Sequence, residues 1–249
     1  MVLVSPKFSL LGCGLLFILS TFILLAIRYE KPEKSDQEQK GFFTDFKLGF
    51  VYLWQHPELI SIYIIQLLIM VMFMTAPVLL APYAKEVLHA NAIQFGHLEA
   101  ALSIGVVIGG LVFPYFVQKL GFYKVFATAV IVMGLSFWLF SHNENIYWAQ
   151  VLYFIIGLAL SAWPLIVTRA QELTDLDYQG RLQGLVNSLS GVLILAIYLL
   201  AIVFGDKIDI AKVYWLEVLL SCITLALVWR LYSKSEKKAD SALLNEQAK

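Results

Sequence analysis

Charge is what this sequence has little of. Of 249 residues only 14% are Asp, Glu, Lys or Arg, and 60% are hydrophobic. Soluble domains carry about 25% charged residues, and a water-facing surface cannot be built from so few, so the chain reads as a membrane protein. Its eighteen Lys and Arg balance eighteen Asp and Glu, which argues against a nucleic-acid partner. Cysteine is scarce too. Cys13 and Cys222 both lie in apolar stretches, which excludes a disulfide scaffold and a cysteine-rich metal site. Signatures of catalysis are missing: there is no His-Glu-x-x-His, no Gly-x-Ser-x-Gly, no phosphate loop and no Gly-x-Gly-x-x-Gly. The histidines (His56, His89, His97, His142) are not paired at metal-ligand spacing. The reading is no enzyme, no catalytic residue, no metal and no cofactor.

Uninterrupted apolar sequence is abundant. A spanning helix needs about 20 apolar residues. Runs free of Asp, Glu, Lys and Arg cover Phe8–Ile27, Leu59–Ala84, Ala100–Gln118, Val125–Ser141, Asn145–Thr168 and Leu182–Gly205, and a further run, Val213–Trp229, is interrupted by Glu217 alone. None alternates as a barrel strand does, and each is longer than the roughly 9–11 residues such a strand needs. The pattern predicts an all-α polytopic membrane protein with seven transmembrane helices. Phe8–Ile27 exceeds the core of a signal peptide, about 7–15 residues, and no small-x-small cleavage site follows it.

The spacing divides the chain into a single span at 1–28, a polar cytoplasmic linker at 29–57, a six-helix bundle at 58–232 and a polar, disordered cytoplasmic tail at 233–249. Within the linker, Phe43, Phe46, Phe50 and Leu53 recur at helical spacing until Pro57, which predicts a short amphipathic helix on the membrane surface. The alternative is that these are the first turns of the next span. Fourteen Lys and Arg fall in segments assigned to one side of the membrane and four in segments on the other. The positive-inside rule then puts the amino terminus outside and the carboxyl terminus in the cytoplasm, with the protein in the plasma (inner) membrane.

One span, a linker and six spans resemble the carboxyl-terminal half of a major facilitator superfamily transporter: sixth helix, central linker, helices seven to twelve. The loop Val117–Lys124 (VQKLGFYK) is similar to the family's short basic cytoplasmic loop through Lys119, Gly121 and Lys124. Gln118 stands where that loop has an acid and Pro114 where it has a glycine. Arg169–Glu172 (RAQE) with Asp175, Gly180 and Arg181 resembles a loop of the macrolide-efflux and enterobactin-exporter branch, as do Phe95–Gly110 and Trp54–Glu58.

The resemblance implies alternating-access transport of a small molecule, with efflux of an amphipathic compound as the branch-level expectation. It implies a lipid bilayer, a small-molecule substrate and either a separate amino-terminal half or a second copy as partners. It places Gln66, Ser103, Trp163 and Asn187 on the cavity-lining helices, and Lys119, Gly121, Lys124, Arg169, Glu172 and Arg181 in cytoplasmic gating loops. Ionisable groups at membrane depth are costly and mark function. Glu99 and Glu217 both lie near the outer edge of their spans and read as interfacial carboxylates reaching water, with proton coupling the alternative for Glu99. Gly105, Gly109 and Gly110 predict close helix packing. The rival readings are a non-transporting assembly or regulatory subunit and a seven-helix receptor. The last span lacks the lysine a retinal protein needs.

Overall fold

A computed structural model describes residues 6–26, 42–204 and 210–247. Every regular element in them is a helix: α1 Pro6–Ala26, α2 Phe42–Gln55, α3 Pro57–Glu86, α4 Ala92–Leu120, α5 Phe122–Ser141, α6 Ile146–Leu160, α7 Trp163–Glu172, α8 Leu176–Phe204 and α9 Ile210–Gln247. Among the described residues, six stretches are long and apolar enough to cross a bilayer: α3, α4, α5, α6 with α7, Leu176–Val203 of α8 and Ile210–Ser233 of α9. Leu10–Ala26 of α1 is a shorter apolar helix. The chain is an integral, multi-pass membrane protein. It divides into two units, Met1–Thr44 and Asp45–Lys249. The linker segment Arg28–Gly41 lies outside the described residues.

Local chemistry sets the boundaries. The Asn91 side chain accepts from the backbone N–H of Ile93 and Gln94 while Gln94 accepts from that of Asn91, a capping box that starts α4. Asn145 caps α6 through the N–H groups of Tyr147 and Trp148. Between α4 and α5 stands Gly121 alone, at φ +84°, a conformation that a side chain would strain. His56 separates α2 from α3, with Pro57 opening the second helix. The amphipathic segment is therefore a helix of its own and not the first turns of the span.

The tail differs from expectation. Instead of disorder beyond Ser233, α9 stays helical to Gln247. The segment has no apolar period, but Ala, Leu, Lys, Glu and Gln dominate it and Gly and Pro are absent, so propensity sustains a helix that patterning does not announce.

The packing has a repeat logic. α4 lies along α6, α5 touches both α6 and α9, and α3 touches α9, α8 and α7. Exchanging α3 with α6–α7, α4 with α8 and α5 with α9 returns the same main contacts, as a 3+3 repeat requires. α4, α8 and α9 are the least buried, with 17%, 11% and 22% of their apolar stretches covered, against 50% for α3 and α5.

The α4–α6 seam is a backbone contact. A Cβ added at Gly105 would overlap the Phe154 carbonyl, one at Gly109 the Ser161 hydroxyl, and one at Gly157 the Leu102 carbonyl. Gly110 has open space around its Cα and takes no part, so the close-packing glycines are Gly105 and Gly109, met by Gly157. Small residues at such seams let helix backbones approach where lipid gives no hydrophobic drive. Gly157→Val should destabilise the bundle by about 1–3 kcal/mol through overpacking, whereas Gly110→Val should stay within about 0.5 kcal/mol. Thermal melts in detergent compare the two.

Candidate functional site

The first polar place is the seam between α3 and α8. Gln66 is wholly buried, and its Nε2 donates to Gln183 Oε1 at 2.9 Å. Its own Oε1 is buried with no partner among the described residues. Ser190, two turns beyond Gln183, is buried with an equally unpartnered hydroxyl. Asn187, one turn beyond Gln183, is exposed at the margin. Near the far end of α8, the Tyr198 hydroxyl donates to the Met74 carbonyl at 3.1 Å.

Trp163 follows a break in the fourth candidate span. A turn at Ser161 and Ala162 separates α6 from α7. Pro164 has no N–H to offer the Leu160 carbonyl four residues back, and the Ser161 hydroxyl bonds instead to the Leu158 carbonyl at 2.7 Å. α4 crosses at this break through Gly109. Trp163 itself is half-buried. Ser103 is exposed and donates to the Glu99 carbonyl of its own helix at 2.9 Å.

Of the four cavity candidates, Gln66 lies in the α3–α8 seam, bonded to Gln183, while Asn187, one turn beyond Gln183 on α8, is exposed and shares no hydrogen bond with it among the described residues. Trp163 marks the helix break, and no hydrogen bond joins Ser103 to either place among the described residues. Gln183 was missed. Its signal was the i, i+4 spacing to Asn187, which puts two amides on neighbouring positions of one helix.

The second place is the corner between α7 and α8. Tyr52 of α2 is buried, and its hydroxyl donates to Asp175 Oδ2 at 3.1 Å. Burial holds its phenol above the ordinary tyrosine value, so the proton stays on and is donated. Its ring stacks on His56 at 4.3 Å and Tyr178 at 4.1 Å. Thr174 spends its proton on the Ala170 carbonyl at 2.7 Å, so the Tyr63 hydroxyl, 2.9 Å away, is the donor in their contact.

Around this latch lie Arg169, paired with Glu172 at 3.0 Å, and Arg181, 5.4 Å from the Tyr178 ring centre. The Arg169–Glu172 pair is partly exposed, and such pairs contribute about 0–1 kcal/mol. Lys119 sits 4.4 Å over the Tyr115 ring at the other loop, where Gly121 makes the turn and Lys124 is exposed. The faces of α2 divide accordingly: Gly49 and Tyr52 turn inward, while Phe50 and Trp54 stack on the exposed side.

The third place corrects the sequence reading. Glu99 is half-buried near the start of α4, but Glu217 is not an interfacial carboxylate. It is fully buried, as are Tyr214, Ser221 and Thr224 on the same face of α9. Depth along a helix gave the wrong answer because α9 turns this face onto α3 and α5.

The Major Facilitator Superfamily profile matches residues 2–192 and, in a second alignment, residues 62–247. A curated relative, the Bacillus subtilis (strain 168) protein named "Uncharacterized MFS-type transporter YvqJ", is 26% identical over 200 residues, 76% of this chain and 46% of that protein. The chain spans about half the length of that relative.

Tyr52→Phe removes two hydrogen bonds, the one its hydroxyl donates to Asp175 Oδ2 and the one it accepts from the Asp175 N–H, a cost of about 1–3 kcal/mol. Limited proteolysis at the α7–α8 corner should accelerate in this variant, while Trp54→Phe on the outward face of α2 should leave the rate unchanged.

Proposed function

The chain belongs to the Major Facilitator Superfamily, a family of transporters rather than enzymes, and we propose that it supplies one six-helix half of an alternating-access carrier that exports a small amphipathic molecule. In this reading α3 to α9 correspond to the carboxyl-terminal half, and a complementary six-helix half, or a second copy, covers the faces of α4 and α8. The observation that carries it is the α3–α8 seam. Gln66 Oε1 and Ser190 Oγ are buried polar atoms without partners, a costly arrangement in a bundle interior unless water or a bound molecule meets them. The low burial of α8 leaves Asn187 exposed, and a polar group on a lipid-facing surface lacks partners, which supports the same reading.

The named side chains of the seam, Gln66, Gln183, Asn187 and Ser190, are uncharged, so recognition runs through amide and hydroxyl hydrogen bonds and not ion pairing. Trp163 at the helix break adds an aromatic wall. Broken helices line substrate sites in carriers of this kind because they free backbone groups at membrane depth. Outward direction rests on the exporter-like loop from Arg169 to Arg181. The cytoplasmic latch at Tyr52 and Asp175 then holds the corner whose opening gates the inner side.

Flux tests this reading. Proteoliposomes containing the chain with a co-expressed amino-terminal half should move a fluorescent amphipathic dye, and Gln66→Leu should slow it about tenfold, the equivalent of about 1.4 kcal/mol. No flux with any partner half or as a homo-oligomer favours the assembly-subunit reading. Orientation has its own test. In a background with Cys13→Ser and Cys222→Ser, Asn143→Cys should react with an impermeant thiol reagent in intact cells, and Lys47→Cys should be protected. The reverse pattern overturns the topology.

A further inference from the structure

Glu217 interrupts the last apolar run, and none of its surface is exposed. It lies seven residues into α9, about 10 Å of helix. Removing a carboxylate from water costs several kcal/mol unless a cation or several donors receive it. No cation pairs with Glu217 among the described residues, its Oε2 has no hydrogen-bond partner, and Oε1 meets only Thr75 Oγ1 of α3, at 2.5 Å.

Proton counting at Thr75 is informative. Its hydroxyl owns one hydrogen yet faces two acceptors, Glu217 Oε1 and the Val71 carbonyl at 2.8 Å. With an ionised Glu217, one of those two contacts carries no proton. With a carboxylic acid, Glu217 O–H donates to Thr75 Oγ1 and Thr75 O–H donates to the Val71 carbonyl, so both contacts are made.

Among the described residues, the neighbours of the carboxyl are aromatic rings and hydroxyls. On α9, Tyr214 is buried one turn earlier with its hydroxyl unpartnered, and the Ser221 hydroxyl donates to the Glu217 backbone carbonyl at 2.8 Å. From α3 come Thr75 and Tyr83, whose ring meets Tyr214 edge-on at 5.1 Å. α5 contributes Phe137 and Phe140, ring neighbours of Tyr214, and Gly134 opposite Ser221. Tyr153 of α6 and Glu99 of α4 lie within electrostatic reach of the Tyr214 turn. At the junction of α5 and α9 a recess of about 540 Å³ is lined by Ser141, His142, Ala211, Lys212 and Trp215. Its last lining residue is the chain neighbour of Tyr214.

We propose that Glu217 is a proton-binding site, taking its proton from the outer recess past Tyr214 and holding it as a carboxylic acid bonded to Thr75. Uptake forms one O–H bond on the carboxyl and consumes one hydronium ion from the outer solution, and release returns the proton to water. Because α3 and α9 belong to different three-helix units, proton occupancy changes the joint between them. As the site of a coupling ion, Glu217 rests on the transport reading. As a proton site it does not.

Infrared titration of the full chain in lipid nanodiscs tests this. A protonated-carboxyl stretch should be present, shift in heavy water and fade on addition of base. Glu217→Gln should abolish it and Glu99→Gln should leave it. Thr75→Val should move its frequency, because the acid loses the group it donates to. A band unchanged by Glu217→Gln, or one removed by sodium at constant pH, overturns the proposal. If Glu217→Gln does not fold, Glu217→Asp keeps a carboxyl in a shifted environment, and a band that does not move there overturns it as well. None of these readouts requires flux, so an inactive chain with the expected band counts against the transport reading alone.

Discussion

A polar atom in hydrocarbon has only the protein to bond with, and that constraint orders this bundle. Thr75, Thr128, Thr174, Thr224, Ser103 and Ser221 each return a hydroxyl to the carbonyl four residues back on their own helix. Tyr153 and Tyr198 spend theirs on carbonyls of α3, at Ala76 and Met74. Against that economy the unsatisfied atoms stand out. Gln66 Oε1 and Ser190 Oγ fall where α3 meets α8, while Tyr214 Oη and Glu217 Oε2 fall where α9 turns inward. α3 is thus flanked by two polar seams, which we propose as a solute site and a proton site; a fifth such atom, Arg169 Nε, lies on α7.

The repeat explains why the seams differ. Under the exchange of three-helix units, the α3–α8 contact corresponds to α4–α6. Glycines close the second to backbone distance, and amides occupy the first. One copy of the contact has become structural and the other polar, although the geometry that brings the helices together is shared. α5 and α9, the third helix of each unit, pack on one another, and α9 carries its buried polar face into that junction.

Much of the architecture was legible because span recognition needs only apolar length, and length survives any tertiary arrangement. The period of Phe46, Phe50 and Leu53 left open a separate amphipathic helix or the first turns of the span, and the break at His56 and Pro57 decides for the first. The sites were less legible. Gln66 was visible as a polar residue in an apolar run, but its partner Gln183 is 117 positions away, and pairing at that separation comes from packing alone. Glu217 was misplaced because distance from a helix end measures depth along the axis and says nothing about which face is covered. The helical tail was missed because an apolar period reports burial, whereas propensity alone can sustain a helix.

The contact between α4 and α6 also has a consequence for biogenesis. The glycines of α4 leave the ribosome well before Gly157 of α6, with all of α5 between them. At about 5–20 residues per second, the first three helices of the bundle wait some seconds in the membrane with a bare backbone groove open to lipid. The groove closes only when the second unit arrives, so neither triplet of helices is a finished object during synthesis. The insertion machinery must therefore hold an incomplete fold, and the interlocked repeat makes the order of translation part of the assembly route.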